Sequence, residues 1–225
     1  MRSFRGPGVQ RPAAPVCCVL SVALVLACVA VKAAPQVPAN DLTGFIYPIA
    51  GGCLPKAANL MPNAARDYRK GIHEGVDFYN SDNCTHITRG TTVIAAKAGR
   101  VIRADVDYVR PTAAQNAAAL KTPTTEASFD EFRGRQVWID HGGGVVTRYC
   151  HLDGIVKGIV KGMSVTAGQP IAYVGETGTP SSYTNPGHEY HLHFEVRIGE
   201  SYLGKGMTLA KERQLYLDLF KELGP

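Results

Sequence analysis

Residues 190–198 read Tyr-His-Leu-His-Phe-Glu-Val-Arg-Ile, and this stretch decides the predicted fold. Apolar and polar side chains alternate along it with a period of two, which is typical of a β-strand with one face in a core. The alternation predicts three core-facing side chains: Leu192, Phe194 and Val196. It places His191 and His193 side by side on the opposite face, with Glu195 next to His193 as a support. Two neighbouring imidazole groups on one strand face favour a metal or catalytic site over two unrelated surface histidines.

The chain continues the β pattern from residue 44 onward. Short apolar runs alternate with Gly, Pro, Asn and Thr, which predicts a mainly β fold, arranged as a compact antiparallel β-sheet or β-sandwich. Three strand pairs are predicted: 92–106 around a turn at 98–99, 136–152 around a turn at 141–144, and 163–174 around a turn at 167–168.

Two segments interrupt this pattern. Residues 107–134 are rich in alanine and predict a partly helical, exposed insertion, which we expect to form a wall or lid of a groove. Residues 206–225 predict a C-terminal helix. Its apolar side chains recur at helical spacing and are expected to pack on the domain: Tyr216, Leu219, Phe220 and Leu223. The domain itself is therefore predicted to span residues 45–205.

The N-terminal segment has the features of an export signal. Three arginines and no acidic residue precede an apolar run at 16–31, and small residues follow it. This pattern predicts a signal peptide at 1–33, a linker at 34–44, and export to the periplasm, the cell envelope or the exterior. An uncleaved membrane anchor and a lipid attached to Cys28 are the alternatives. No stable membrane span is expected after signal cleavage.

Charge and composition limit the classes of partner. The chain of 225 residues is 45% hydrophobic and 19% charged, which predicts a folded core. Its net charge is +5, but residues 1–33 carry four basic side chains and no acidic one, so the remainder has a net charge of +1. Nothing in this balance indicates a basic surface for nucleic acid.

Cysteine usage agrees with export. Cys53 and Cys84 both lie in loop-like sequence, and we expect them to pair in an oxidising compartment. Cys150 is then left as a buried thiol. A zinc site built from cysteines is disfavoured because the sequence has no CxxC spacing.

Two further segments carry histidines. Residues 73–77 read His-Glu-Gly-Val-Asp, so His73 and Asp77 converge on one metal if the chain turns between them. Alone, such a pair is more often a structural hydrogen bond. In residues 147–152, strand alternation places Tyr149 and His151 on one face and Cys150 on the other. This assigns Cys150 to packing and leaves Tyr149 as a candidate for facing a substrate.

The three segments together resemble a known family. The pattern HxxxD, then YxHL, then HxH is similar to the signature of the lysostaphin-like (LytM-type, β-lytic) zinc metallopeptidases, and the pieces stand in that order at 73–77, 149–152 and 191–193. The turns at 98–101, 139–142 and 174–178 are similar too. The resemblance covers about residues 45–198.

The resemblance implies a fold, a metal and a set of roles. It implies His73, Asp77 and His193 as ligands of one Zn²⁺ per chain, and His151 and His191 as the catalytic pair. The implied fold is a compact antiparallel β domain of the lysostaphin-like, duplicated hybrid motif type, with a groove across one sheet. The implied substrate is a peptide crosslink or stem of peptidoglycan. We expect the protein to be a monomer. Three protein ligands leave one zinc position open, as catalytic sites require.

Two other functions remain open. A protein of the same fold can bind the cell wall or activate another enzyme without catalysis, although such relatives lack ligands and this chain keeps all five site positions. A D-Ala-D-Ala carboxypeptidase-type zinc enzyme also uses His–Asp–His ligands. Such enzymes have a wider spacing in the first motif and no YxHL segment.

Overall fold

A computed structural model describes residues 42–69, 71–121 and 126–221, and most of its regular structure is antiparallel β-sheet. The strands are β1 (Ala65–Arg66), β2 (Gly71–Ile72), β3 (Val76–Tyr79), β4 (Thr92–Ile94), β5 (Gly99–Ala104), β6 (Val137–Asp140), β7 (Val145–Cys150), β8 (Leu152–Ile155), β9 (Ser164–Val165), β10 (Pro170–Val174), β11 (His191–Ile198) and β12 (Ser201–Tyr202). The α-helices are α1 (Ala113–Lys121), α2 (Glu126–Arg133), α3 (Ser181–Thr184) and α4 (Leu209–Leu219).

The strands form three sheets. A seven-stranded sheet has the order β12-β11-β7-β6-β5-β9, and β3 also pairs with β11. A three-stranded sheet has the order β4-β10-β8, and β1 pairs with β2. The predicted mainly β, antiparallel fold with a C-terminal helix is therefore confirmed.

Two predicted strand pairings are wrong. In the segment 92–106, β4 pairs with β10 of the small sheet, whereas β5 pairs with β6 and β9 of the large one. The segment 163–174 does contain two strands, but β9 pairs with β5 in the large sheet, whereas β10 lies between β4 and β8 in the small one. The chain passes from one sheet to the other at the turn around Gly168. The pairing at 136–152 holds for β6 and β7, while Leu152 already begins β8 of the small sheet.

The core is one continuous cluster that both larger sheets supply. The three side chains that alternation predicted to be buried in β11 are fully buried. Val93 of β4 and Ile171 of β10 contribute from the small sheet, and Val101 and Ile139 contribute from the large one. The alternating apolar residues of each strand thus bury one face of both sheets, which is the main driving force of the fold.

The two segments outside the β pattern are helical, as predicted. Helices α1 and α2 lie between β5 and β6, but Phe132 and Arg133 of α2 are buried, so the expectation of an exposed insertion is wrong at its C-terminal end. Helix α4 packs its Tyr216 and Leu219 on the domain, and the following Phe220 stacks on Tyr47 with ring centroids 4.4 Å apart. Leu223 lies outside the described residues, as do the predicted signal peptide and linker residues 34–41.

The cysteines behave as predicted. Cys53 and Cys84 form a disulfide bond, and Cys150 is an unpaired, buried thiol. Asn83 supports the bridge because its side chain accepts a hydrogen bond from the Cys53 amide and donates one to the Cys53 carbonyl. Within the described part of the chain, no helix has the length and apolar character needed to cross a membrane.

Candidate metal centre

The pairing of β3 with β11 creates the centre. In this antiparallel register His193 lies opposite Asp77, and His191 lies opposite Tyr79. Directly paired residues project on the same face of a sheet, so these four side chains share one face. The five predicted site residues, His73, Asp77, His151, His191 and His193, all line one cleft of about 840 Å³.

The close approach of the segment before β3 to β11 requires a glycine at position 75. A Cβ atom at this position would lie 2.5 Å from the Phe194 carbonyl oxygen and 2.9 Å from Cε1 of His193. Both distances are too short for a side chain, so only glycine lets the segment between His73 and Asp77 pass this close to the β11 histidine. The glycine between His73 and Asp77 is therefore required for steric reasons.

Three side-chain atoms converge on one point. The Nε2 atom of His73 lies 3.0 Å from Oδ1 of Asp77, and Nδ1 of His193 lies 2.8 Å from the same oxygen. The two ring nitrogens are 3.0 Å apart. Zinc bonds of about 2.0–2.1 Å in a tetrahedron separate ligand atoms by about 3.3 Å, so a small expansion of this triangle accommodates the ion.

The outer nitrogen of each ligand imidazole is held by a hydrogen bond. Nδ1 of His73 donates to the Met61 carbonyl at 2.8 Å, and Nε2 of His193 donates to Oε1 of Glu195 at 3.1 Å. These bonds leave the inner nitrogens to ligate a metal, and such partners also orient the rings. The other oxygen of Asp77 accepts a hydrogen bond from Arg66 at 2.9 Å. The predicted position of Glu195 beside His193 is thus observed.

The electrostatics of the triangle suit a cation. Burial alone raises the pKa of Asp77, but the neighbouring His73 and the hydrogen bond from His193 outweigh it and hold this pKa well below its ordinary value. Burial lowers the pKa of His73, which keeps its imidazole neutral. Burial also lowers the pKa of His193, but hydrogen bonds to Asp77 and Glu195 raise it further than burial lowers it. The same acids that favour a proton on His193 favour a metal ion there, so the residues fit Zn²⁺.

His151 and His191 lie beside the triangle without belonging to it. Their ring centroids are 4.6 Å apart, and Nε2 of His191 is 3.8 Å from Oδ1 of Asp77. Each ring donates its Nδ1–H to a backbone carbonyl, His151 to Thr177 at 2.8 Å and His191 to Glu189 at 2.6 Å. In both rings Nε2 is therefore the acceptor. Burial, aided by the two neighbouring histidines, holds the pKa of His151 well below its ordinary value, so this ring is neutral at pH 7.

Tyr149 and Cys150 lie on opposite faces of β7, as predicted, but the assignment of these faces to the cleft and the core is wrong. Tyr149 pairs with Phe194 and is fully buried in the core, where its hydroxyl accepts a hydrogen bond from the Ala96 amide at 2.8 Å. Cys150 pairs with His193 and lies on the metal side instead. His151 has a φ of 62°, a left-handed conformation that interrupts the alternation and turns its ring into the cleft. Tyr149 therefore does not face a substrate.

A buried charge network surrounds Glu195. Its carboxylate, 1% exposed, accepts hydrogen bonds from Arg133 at 2.8 Å, Arg197 at 3.3 Å and Arg148 at 3.5 Å. Arg133 and Arg197 also pair with Glu74, so this residue belongs to the same charge network. The thiol of Cys150, His193 and Glu195 lie close together, but three guanidinium groups around the carboxylate make this group unsuitable for a second cation.

The remaining histidines are outside the centre. His86 and His188 are exposed, and neither lines the cleft. His141 has a structural role, because its ring bonds the Ala98 carbonyl and the Thr147 hydroxyl, both at 2.8 Å.

Several polar residues of the cleft were not predicted from the sequence, among them Arg66, Tyr79, Arg133 and Glu189. Tyr79 carried a usable signal, because it follows Asp77 by two positions on one strand and so shares its face. Arg66 carried none, since nothing distinguishes it from the other basic residues before the chain is folded. Phe129, Phe132 and Arg133 bring α2 to the cleft, so the insertion supplies part of its lining.

Comparison with known proteins gives matches to peptidases. Peptidoglycan DD-endopeptidase ShyC of Vibrio cholerae is 36% identical over 93 residues, which are 41% of this chain and 19% of that protein. A zinc containing peptidase from Vibrio cholerae, solved by crystallography, shares 26% identity with a TM-score of 0.45 over 71% of this chain and 38% of that one. The catalytic domain of lysostaphin from Staphylococcus simulans shares 22% identity with a TM-score of 0.39 over 73% of this chain and 89% of that one. The chain spans about a fifth of the length of the curated relative.

The family itself follows from a longer match. The sequence pattern of Peptidase family M23 covers residues 71–205, more than half of the chain. This range contains all three histidine segments and the strands that bring them together. The predicted family is confirmed, and the metal that it implies fits the triangle of His73, Asp77 and His193. The chain belongs to peptidase family M23, whose members depend on zinc.

Proposed function

We propose that this chain is a zinc-dependent endopeptidase that hydrolyses peptide bonds in the crosslinks or stems of peptidoglycan. One observation carries the proposal: a ligand triangle of His73, Asp77 and His193 shares a single cleft with the acceptor nitrogens of His151 and His191. The named activity of the Vibrio cholerae relative supports the wall peptide as substrate. The completeness of the site favours an enzyme over a non-catalytic binding protein of the same fold.

The chemistry divides between the metal and the two free histidines. Zinc, when bound, acts as a Lewis acid that acidifies water and polarises the scissile carbonyl. His151 and His191 each present an unprotonated Nε2 because their Nδ1–H groups are bound to carbonyls. Such a nitrogen accepts the proton of the attacking water and then gives it to the leaving amine. The same N–H, once formed, stabilises the tetrahedral oxyanion.

The insertion contributes to substrate selection in this proposal. Phe129 and Phe132 of α2 line the cleft beside the histidines, so this helix forms one of its walls. Apolar walls orient a peptide by contact with its side chains. A change of crosslink preference in a Phe129→Ala variant supports this role, and an unchanged preference contradicts it.

We also propose that the protein acts in the cell envelope or periplasm as a monomer. The predicted signal peptide at 1–33 and the wall substrate support this location. Mass spectrometry of the protein isolated from an envelope fraction tests both the cleavage site and a lipid on Cys28.

The decisive experiment uses the zinc-loaded full chain and peptidoglycan of defined crosslink type. An endopeptidase converts crosslinked muropeptide dimers into monomers, and mass spectrometry of the products identifies the bond, for example Gly–Gly or D-Ala–diaminopimelate. Zinc removal by a chelator is expected to stop the reaction, and added zinc to restore it. Loss of single D-Ala residues from uncrosslinked stems would instead indicate a carboxypeptidase. A zinc-loaded chain that releases no product would indicate a wall-binding protein.

A further inference from the structure

Tyr79 stacks on one of the two free histidines. Its ring lies opposite His191 across the β3–β11 pair, with ring centroids 4.2 Å apart and an interplanar angle of 9°. The stack fixes the plane of the imidazole from one side. His73 and His193, the two imidazoles of the triangle, have no such stack among the contacts described above. Hydrogen bonds at both ring nitrogens hold them instead.

The hydroxyl group of Tyr79 extends the contact to a second residue. It donates a hydrogen bond to Oε2 of Glu189 at 2.7 Å, and the backbone carbonyl of Glu189 accepts the Nδ1–H of His191 at 2.6 Å. Tyr79 and Glu189 are thus joined to each other and both contact the same imidazole. The stack with Tyr79 holds the plane of the His191 ring, and the hydrogen bond to the Glu189 carbonyl keeps the ring proton on Nδ1.

The loop that carries Glu189 is itself anchored. The buried Glu176 carboxylate accepts the amide hydrogens of Gly187 at 2.7 Å and of Glu189 at 3.2 Å. The backbone of His191 is also bound, because its amide donates to the Gly175 carbonyl at 3.1 Å. With its backbone held, His191 can still rotate about its side-chain bonds. The stack with Tyr79 and the hydrogen bond to the Glu189 carbonyl restrict these rotations.

We propose that Tyr79 and Glu189 are positioning residues that hold the His191 imidazole with its Nε2 atom directed at the reacting water. The inference rests on the proposed function, in which His191 transfers protons. A metal ligand is oriented by its metal, but His191 lies outside the triangle and needs another support. Proton transfer requires hydrogen-bond geometry, so a free rotation of this ring lowers kcat without loss of the metal.

Kinetics of the zinc-loaded full chain test the proposal first. Tyr79→Leu removes the stack and is expected to lower kcat by about 10- to 100-fold with little change in KM, since a misplacement near 1 Å costs about that much. Tyr79→Phe keeps the ring and is expected to recover most of this loss. Glu189→Gln keeps the backbone carbonyl that accepts the Nδ1–H of His191 and weakens only the hydrogen bond from the Tyr79 hydroxyl. It is therefore expected to resemble Tyr79→Phe. Tyr173→Leu, at an exposed tyrosine of β10, is the matched control.

Nuclear magnetic resonance of the histidine rings gives a readout that does not depend on activity. The His191 signals are identified as those missing from a His191→Asn variant. In the wild-type chain they should show the Nδ1–H tautomer and the ring-current shift of a stacked tyrosine. Tyr79→Leu should abolish the shift, while Tyr79→Phe and Tyr173→Leu should keep it.

The outcomes separate this inference from the proposed function. Wild-type kcat in Tyr79→Leu, unshifted His191 signals in the wild-type chain, or loss of zinc in proportion to activity would each overturn the positioning role. A wild-type chain that cleaves no peptidoglycan peptide overturns the proposed function instead. The His191 resonances still decide the positioning in that case.

Discussion

Strands β11 and β7 both deliver site histidines, but they do so by different means. Strand β11 stays extended from His191 to Ile198, so its alternation places two histidines toward the cleft and three apolar side chains in the core. Strand β7 ends at Cys150, and the next residue, His151, adopts a φ of 62°. The comparison teaches that alternation predicts the face of a side chain only while the backbone remains extended.

Cross-strand pairing shows the same difference. Because Tyr149 lies opposite Phe194 and Cys150 opposite His193, the faces of β7 are set by those of β11. A continued strand would have buried His151 in the core with Tyr149. The single left-handed residue instead turns the imidazole to within 4.6 Å of the His191 ring centroid. The following experiments test whether His193 acts as a ligand and His151 as a catalyst.

The largest effect is expected at the ligand that β11 provides. His193→Ala removes one corner of the triangle, and we expect loss of both zinc and hydrolysis because two ligands hold the ion poorly. Zinc content by mass spectrometry and release of muropeptides measure the two effects. His188→Ala, at an exposed histidine outside the cleft, should retain both. A His193→Ala chain with full zinc content would contradict the assignment of this strand face.

His151 is expected to separate chemistry from metal binding. His151→Ala should lower kcat by about 10²- to 10⁴-fold, the usual contribution of a general acid–base, while zinc content stays unchanged. The companion variant His151→Asn guards against backbone strain, because asparagine tolerates a positive φ better than alanine. Parallel loss of zinc in both variants would make His151 a ligand and contradict its role as a catalyst.

Glu195 tests the support behind His193. Glu195→Gln keeps the volume but removes the charge that holds the His193 ring, and we expect zinc affinity to fall about 10- to 100-fold. Three arginines then lack their buried anion, which should also lower the free energy of unfolding by about 3–5 kcal/mol. Competition with a chelator and denaturant unfolding measure these changes. Glu200→Gln, at an exposed position near the end of β11, is the control; equal affinities in both variants would refute the support role.

The smallest effect is expected at Tyr149. Tyr149→Phe leaves the Ala96 amide without its partner, so the free energy of unfolding should fall by about 1–2 kcal/mol while hydrolysis is unchanged. The control is Tyr173→Phe on the exposed face of β10. A stable variant with impaired hydrolysis would indicate that Tyr149 acts at the cleft and would contradict its place in the core.

Much of the molecule follows from the order of residues alone. Alternation in 190–198 predicts the buried face of β11, and the order of the three histidine segments predicts the residues of the triangle through their resemblance to a known family. The pairing of Cys53 with Cys84 and the helix at the C-terminus also needed no tertiary information. These features are predictable because each depends on local backbone geometry or on the chemical type of a few side chains.

Tertiary structure alone decided the rest. Ser164–Val165 and Pro170–Val174 look like partners along the chain, yet they belong to different sheets. Strand β9 pairs with β5 of the large sheet, whereas β10 pairs with β4 and β8 of the small one. Arg66 reaches Asp77, and the phenol of Tyr79 joins Glu189 to His191, only once distant loops close on the cleft. The His151 ring is held by a hydrogen bond to the carbonyl of Thr177, which lies 26 residues away along the chain. Local sequence determines which side chains are able to hold a metal or transfer a proton, whereas long-range packing determines how each of them is oriented.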